Sequence, residues 1–167
     1  AFTIKGGPDI TTEGEFEMRA EMLEALQEHS VVVWDCTGDK VTSQWGEVMT
    51  MAAIRAGCKG AVVNGIRDTS AIISQQFPVF YKYKANTGMF GRFRMYYYQK
   101  PVLIGEVIIN PGDWIFGDID GVIAVPADIA FDVLVAAEKI LFKEEDIKAM
   151  VNNGMSPTDV VKNGGYF

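Results

Sequence analysis

Residues that usually build metal centres and disulfide frameworks are scarce in this sequence. It contains one histidine, His29, and two cysteines, Cys36 and Cys58, among 167 residues. A single histidine excludes a multi-histidine metal site, and two cysteines are too few for a disulfide framework. Any metal site in this chain must therefore rely on carboxylates, which favour a hard cation.

The sequence also lacks long apolar runs and an excess of basic residues. No stretch reaches the roughly 18 consecutive apolar residues that a membrane-spanning helix needs. Lys and Arg total 15 against 22 Asp and Glu, and this net charge of −7 disfavours nucleic acid and membrane surfaces as partners. With 49% hydrophobic and 22% charged residues, the composition predicts a globular, cytoplasmic protein with a sizeable core.

Short apolar runs alternate with helical segments in the first half of the chain. Helices are predicted at 14–29 and 46–57, and the second is apolar almost all round and so expected to be mostly buried. Buried strands are predicted at 31–35 and 60–65. This strand–helix–strand order indicates an α/β layer with parallel pairing.

The second half of the chain has a different pattern. Gly, Pro, Asn and Asp separate further strand-like segments, which is typical of a β-meander or a barrel. Three helices are predicted after them, at 128–142, 144–152 and 156–162. No linker or internal repeat divides the chain, so we predict a single domain over residues 1–167.

The most unusual chemistry lies in the Arg67–Asp68 pair, just after the second predicted strand. Ligands of open α/β sheets usually bind at the carboxyl ends of strands. An arginine can hold a carboxylate through two hydrogen bonds, and an aspartate can bind a hard cation. A surface turn with both side chains in solvent is the alternative interpretation.

A second segment of interest, Gly46–Glu47, opens the predicted helix at 46–57. The first N–H groups of a helix are unpaired and carry positive potential, which suits the carboxylate of a substrate. Taken alone, Glu47 is better explained as a first-turn partner of the helix dipole. The two segments together form a coherent site for an anionic substrate and a metal.

An ordered series of motifs runs along essentially the whole chain. These are Gly46–Met49, Gly60–Asp68, Phe77–Phe80, Lys100–Val102, Asn110–Asp113, Gly117–Pro126 and Gly154–Pro157. Through this series the chain resembles the RraA-like superfamily, which includes the ribonuclease E activity regulators and the class II 4-hydroxy-4-methyl-2-oxoglutarate aldolases.

The resemblance implies an α/β fold, a layered α/β/β/α sandwich of the swivelling-domain type with a mixed β-sheet or barrel core and flanking helices. It also implies a homotrimer or a hexamer with sites between subunits. Members of the family usually carry an N-terminal helical segment before the strand that begins at Ala1. We therefore expect residues 1–167 to form an RraA-like domain without that segment.

The resemblance also implies a role for each site residue. Asp68 would hold a hydrated Mg²⁺ or Mn²⁺, Arg67 would stabilise an enolate, and the helix start at Gly46, with the amides of Val48 and Met49, would bind the substrate carboxylate. Glu47 stands where the family usually has Asp, with nineteen residues between it and Arg67. An acid from a neighbouring subunit would complete the site, and Glu144 and Glu145 are the candidates.

These roles predict a metal-dependent lyase. The substrate would be a small anionic keto acid, either a 4-hydroxy-2-oxo acid such as 4-hydroxy-4-methyl-2-oxoglutarate or oxaloacetate, and the product would be pyruvate. The alternative is a non-catalytic regulator that binds a ribonuclease E-like enzyme or a helicase. The Arg67–Asp68 pair does not distinguish the two, because regulators in the family can retain it.

Overall fold

The computed structural model describes all 167 residues, which divide into two compact units, Ala1–Pro126 and Ala127–Phe167. The first unit contains β1 (Phe2–Pro8), α1 (Glu15–Glu24), β2 (Val31–Asp35), α2 (Glu47–Arg55), β3 (Gly60–Ile66), α3 (Thr69–Ser74), β4 (Val79–Lys84), β5 (Phe93–Tyr98), β6 (Val102–Ile104), β7 (Val107–Ile109), β8 (Trp114–Asp118) and β9 (Gly121–Val125). The second unit contains α4 (Ala130–Asn152) and α5 (Pro157–Lys162). The single domain over 1–167 stays a prediction.

A five-stranded mixed sheet forms the centre of the first unit, in the order β4-β3-β2-β1-β5. The pairs β1–β2, β2–β3 and β3–β4 are parallel, whereas β5 runs antiparallel to β1. This confirms the mixed α/β class and the parallel pairing predicted from the strand–helix–strand order. Because β1 to β4 are parallel, their carboxyl ends lie at one edge of the sheet. Arg67 and Asp68 directly follow β3 and therefore lie at that edge.

The β-branched run Val31–Val33 explains why β2 lies in the middle of this sheet. Val32 and Val33 are buried, as are Ile4 on β1 and Ala61 on β3, and apolar side chains on both faces are typical of a central parallel strand. The largest fully buried side chains are those of Trp34 and Trp45, Phe2 and Phe93.

The strand-like segments of the second half divide between the sheet and two hairpins. β4 and β5 join the main sheet, while β6–β7 and β8–β9 form separate antiparallel pairs. Gly105 turns the first hairpin with a φ of 64°, a left-handed conformation that favours glycine. The meander prediction therefore holds for the hairpins but not for the strands that complete the sheet.

The second unit corrects one prediction about helix boundaries. A single helix of 23 residues, α4, replaces the two helices predicted at 128–142 and 144–152. The junction at Lys143–Glu145 contains good helix formers and no Gly or Pro, so nothing interrupts the helix there. α5 begins as predicted, with the hydroxyl of Ser156 accepting from the amide of Asp159 at 3.2 Å.

The burial of α2 also differs from the prediction. Thr50 and Ala53 are buried, but Val48, Met51 and Ile54 are 75%, 56% and 44% exposed. Within the first unit the helix therefore buries one face and leaves apolar side chains open on the other. The helices of the structure include none with the length and apolar character needed to cross a membrane.

Candidate functional site

Backbone hydrogen bonds hold the two predicted site segments side by side. The amides of Gln44 and Trp45 both donate to the carbonyl of Gly65, at 2.9 and 3.2 Å, and the amide of Arg67 donates to the carbonyl of Trp45 at 3.0 Å. The segment before α2 thus pairs with the end of β3 as a short parallel extension of the sheet. Residues twenty positions apart in sequence meet at the carboxyl edge of the sheet for this reason.

Gly46 allows the two segments to approach closely. A Cβ atom on this residue would lie 2.7 Å from Oδ2 of Asp68 and 3.3 Å from Cγ of Arg67, closer than carbon and oxygen atoms pack. Gly46 has an extended backbone conformation that any residue can adopt, so the glycine is needed for space. Its hydrogen side chain lets the Asp68 carboxylate reach the start of α2.

Asp68 lies at the start of α3 with a φ of 54°, a left-handed conformation that aspartate tolerates better than most residues. Its Oδ2 accepts from the amide of Glu47 at 3.3 Å and lies 3.5 Å from Nε of Arg67. Its other oxygen, Oδ1, accepts no hydrogen bond from the protein. Asp68 thus presents a partly exposed carboxylate oxygen that is free to bind a cation or a water molecule.

The first turn of α2 is open toward the same space. The amide of Glu47 is used by Asp68 and that of Thr50 donates to the carbonyl of Gly46. The amides of Val48 and Met49 have no acceptor in the protein. Two unpaired N–H groups at the positive end of a helix can bind one carboxylate.

A cavity of about 480 Å³ brings these groups together. Six of the predicted site residues line it: Gly46, Glu47, Val48, Met49, Arg67 and Asp68. The other two, Glu144 and Glu145, belong to the second unit, where Glu144 is half-buried and Glu145 exposed on α4. Their role as an acid from a neighbouring subunit stays a prediction.

The structure adds residues to this cavity that sequence reasoning missed. One face of α1 lines it through Phe16, Arg19, Ala20 and Leu23, and the loop before β5 contributes residues 88–90. The spacing of i, i+3, i+4 and i+7 on α1 is the signal that identifies them as one helix face. Nothing in their sequence indicates that this face turns toward Arg67.

A buried network of hydrogen-bonded polar side chains supports the loop that carries Gly46. The carboxylate of Asp39 accepts from the side chains of Thr42 at 2.6 Å, Tyr83 at 3.0 Å and Gln44. Gln44 in turn accepts from the amide of Gly65 at 2.8 Å through Oε1. The network therefore fixes the loop that pairs with the end of β3 and carries Gly46.

The charged form of Asp39 in this network determines how we expect the stability of the protein to change at acidic pH. Burial raises the pKa of the Asp39 carboxyl, but hydrogen bonds from Thr42, Val41 and Tyr83 outweigh it, so that the pKa lies below its usual value of 3.8. The stability contributed by the charged form is complete above that usual value and is lost as the pH falls through the lower folded-state pKa.

We therefore expect Asp39→Asn to lower the free energy of unfolding by about 2 kcal/mol at pH 7, the order of hydrogen bonds to a charged group. The deficit relative to the wild type should narrow on acidification below roughly pH 4. Urea unfolding of the variant and the wild type at pH 7, 5 and 3 measures this difference in the free energy of unfolding. Asp120→Asn, at an exposed position, is the control, and a deficit that stays constant with pH would contradict the role of the Asp39 charge.

The cysteines take no part in the site. Cys36 and Cys58 are both buried and free. Burial raises the pKa of the Cys36 thiol to about 12. A thiol with so high a pKa is a poor nucleophile at neutral pH.

The donors at the cavity suit a hydrated hard cation. No group of three His, Cys, Asp or Glu side chains is placed to hold a metal by itself. Mg²⁺ keeps several of its waters and often binds through only one or two carboxylates. Asp68 and Glu47, at the open edge of the cavity, match that pattern, whereas a tightly caged ion such as structural zinc does not fit.

The structure is thus a mixed α/β protein with an open cavity at the carboxyl ends of its parallel strands. The chain belongs to the RraA-like family: the family model described as Aldolase/RraA matches residues 1–124. This confirms the resemblance stated from the sequence motifs.

Curated relatives are longer than this chain. Protein DlpA of Legionella pneumophila is 35% identical over 160 residues, which cover 92% of this chain but 25% of DlpA. A putative 4-hydroxy-4-methyl-2-oxoglutarate aldolase of Halalkalibacterium halodurans is 33% identical over 142 residues, 80% of this chain and 65% of the relative. The chain therefore spans less than two thirds of both proteins.

Solved structures with the same fold include two that are more than 25% identical in sequence to this chain. One, described among novel cellulases from microbes associated with the gut ecosystem, is 44% identical with a TM-score of 0.84, over 87% of this chain and 66% of that one. The other is Streptomyces coelicolor RraAS2, an unusual member of the RNase ES inhibitor RraA family. It is 26% identical with a TM-score of 0.75, over 86% of this chain and 72% of that one.

Proposed function

We propose that the protein is a divalent-metal-dependent lyase that cleaves a 4-hydroxy-2-oxo acid, or decarboxylates oxaloacetate, to release pyruvate. The observation that carries the proposal is the convergence of Arg67, the Asp68 carboxylate and the two free amides of α2 on one cavity. The relative named as a putative aldolase supports the same chemistry.

The free amides bind the carboxylate of the keto acid and so fix its orientation. Arg67, half exposed and only 3.5 Å from Asp68, directs its guanidinium toward the neighbouring keto oxygen. Negative charge develops on that oxygen when the bond beyond C3 breaks, and a cationic donor placed there stabilises the transition state more than the substrate.

Asp68 and Glu47 are the residues that would hold a hydrated Mg²⁺ or Mn²⁺ at this cavity. When bound, the cation supplies Lewis-acid stabilisation of the enolate. Asp68 keeps Arg67 in place through their ion pair. No lysine lines the cavity, so an enolate stabilised by charge accounts for the chemistry better than a Schiff base.

The test is pyruvate release by the purified protein with Mg²⁺ or Mn²⁺. We expect turnover of oxaloacetate or of 4-hydroxy-4-methyl-2-oxoglutarate that EDTA abolishes and added metal restores. Asp68→Asn should lose the stimulation by metal while keeping the fold, because asparagine tolerates the left-handed backbone at this position. Asp120→Asn is the matched control, and the absence of metal-dependent turnover on both substrates would overturn the proposal.

The regulator is the second candidate, and the observation in its favour is the likeness to RraAS2. A regulator would bind a large RNA-processing enzyme through its surface and would not need metal. Copurification with such an enzyme, together with no turnover, would favour it. Turnover that depends on metal and on Asp68 would favour the lyase.

A further inference from the structure

The far wall of the cavity is apolar. It is formed by one face of α1, by the loop before β5 and by the first turn of α2. Its apolar side chains are Phe16, Leu23, Val48, Met49, Met89 and Phe90. The carboxylate and keto end of a substrate would be bound near Arg67, so this wall faces whatever group the substrate carries further along its chain.

Two phenylalanines form the most distinctive part of the wall. Phe16 and Phe90 stack with ring centroids 4.8 Å apart and an interplanar angle of 9°. They are nevertheless 60% and 45% exposed, so their remaining ring surface is open. An open stacked pair offers edges and faces against which a third aromatic ring can pack.

The chain places this pair close to the reacting end of the site. A Cβ atom built on Gly88 would lie 3.5 Å from Nη1 of Arg67, and Phe90 follows only two residues later. Two residues span at most about 7 Å. When Arg67 holds the substrate, the Phe90 ring is therefore within reach of a substituent that lies one carbon beyond the breaking bond.

Among the residues of this chain, the same wall offers a second carboxylate no cation that lacks an ion-pair partner. Arg19 and Arg67 are the two cations that line the cavity. The guanidinium of Arg19 is 2.5 Å from Oε1 of Glu15, a residue only 1% exposed, and it lies over the Phe16 ring at 5.8 Å. Because Arg19 is already paired, a carboxylate placed against the wall would lose water without gaining a new ion-pair partner from this chain.

We propose that the substrate of this site is a 4-hydroxy-2-oxo acid with a single carboxylate and an aromatic or bulky apolar group on C4. This inference rests on the proposed function and names its substrate class.

The reaction breaks the C3–C4 bond, and its electron pair becomes the enolate of pyruvate. The 4-hydroxyl loses its proton to water and becomes the carbonyl of an aldehyde, and a proton added at C3 completes pyruvate, so no oxidant or reductant is needed.

Two substrates that differ only at C4 test the proposal. 4-Hydroxy-2-oxo-4-phenylbutanoate carries a phenyl group where 4-hydroxy-2-oxoglutarate carries a carboxylate, and both release pyruvate. With the wild-type protein and Mg²⁺ or Mn²⁺, we expect kcat/KM for the phenyl compound to be higher by about tenfold or more, the order of one aromatic contact plus the avoided desolvation. Equal values, or a preference for the carboxylate, would overturn the proposal.

Phe90→Ala tests whether the wall causes the preference. The ratio of the two kcat/KM values should fall about tenfold in this variant, because the ring contact is lost while the cavity remains. Phe116→Ala is the matched control, since Phe116 is 62% exposed on β8 and does not line the cavity. A ratio that is unchanged in Phe90→Ala, or that falls equally in Phe116→Ala, would contradict the assignment.

A binding experiment separates this inference from the proposed function. 2-Oxo-4-phenylbutanoate and 2-oxoglutarate lack the 4-hydroxyl and cannot be cleaved, and calorimetry in the presence of Mg²⁺ compares their affinities. Tighter binding of the phenyl compound, weakened in Phe90→Ala, supports the substrate class even if no pyruvate forms from any 4-hydroxy acid. Tighter binding of 2-oxoglutarate overturns the inference while leaving metal-dependent turnover as the test of the lyase.

Discussion

Arg67→Ala should lower kcat/KM for metal-dependent pyruvate release by about 10² to 10³, the loss found when one donor to a developing oxyanion is removed. Arg67 is the only charged donor from the end of β3, and its amide is fixed by the carbonyl of Trp45 at 3.0 Å. Its guanidinium is held near the site by Asp68. The effect should lie mainly in kcat, because the charge on the oxygen develops in the transition state.

The fold should tolerate this substitution. The Arg67 side chain is 52% exposed and its ion pair with Asp68 is long at 3.5 Å, and such pairs contribute at most about 1 kcal/mol. Arg67→Lys should retain part of the activity, because it keeps the positive charge but loses the planar fork. Arg55→Ala, an exposed arginine in the last turn of α2, is the control, and equal losses in the Arg55 and Arg67 variants would contradict a specific role for Arg67.

The part of the site that lies next to strand and helix ends was predictable from the sequence. An apolar run followed by Arg67 and Asp68 indicates a strand that ends at the ligand edge of a sheet, and Gly46 before an apolar helix indicates a helix start. Parallel strands place such ends at one edge, so these two segments met as expected. The closeness of the contact was not predictable, because it depends on the space that a missing Cβ leaves at Gly46.

The far wall of the cavity could not be predicted from the sequence. Phe16 and Phe90 are 74 positions apart, and no local pattern relates a helix face to a loop at that separation. Their contact depends on the antiparallel pairing of β5 with β1, which brings the loop before β5 close to α1. The exposure of α2 was mispredicted for a related reason, since an apolar pattern shows that a helix face can be buried but not what covers it.

Trp45→Ala should lower the free energy of unfolding by about 3 to 5 kcal/mol, the usual cost of removing a large aromatic side chain from a core. Trp45 is 1% exposed and stacks on Phe77 with ring centroids 6.3 Å apart. Its Nε1 donates to the hydroxyl of Thr50 at 2.8 Å, which ties the residue before Gly46 to the first turns of α2. Urea unfolding followed by circular dichroism measures the loss.

Two further variants separate packing from hydrogen bonding at this position. Trp45→Phe keeps a ring against Phe77 but removes the donor to Thr50, so it should cost about 1 to 2 kcal/mol, of the order of one buried hydrogen bond with a small loss of volume. Trp114→Ala removes a tryptophan that is 50% exposed on β8 and should cost clearly less than Trp45→Ala. If the two alanine variants lost equal stability, Trp45 would not be the packing centre between the end of β3 and the start of α2. The position of the site would then depend only on the backbone hydrogen bonds of Trp45 with Gly65 and Arg67, because both alanine variants keep those hydrogen bonds.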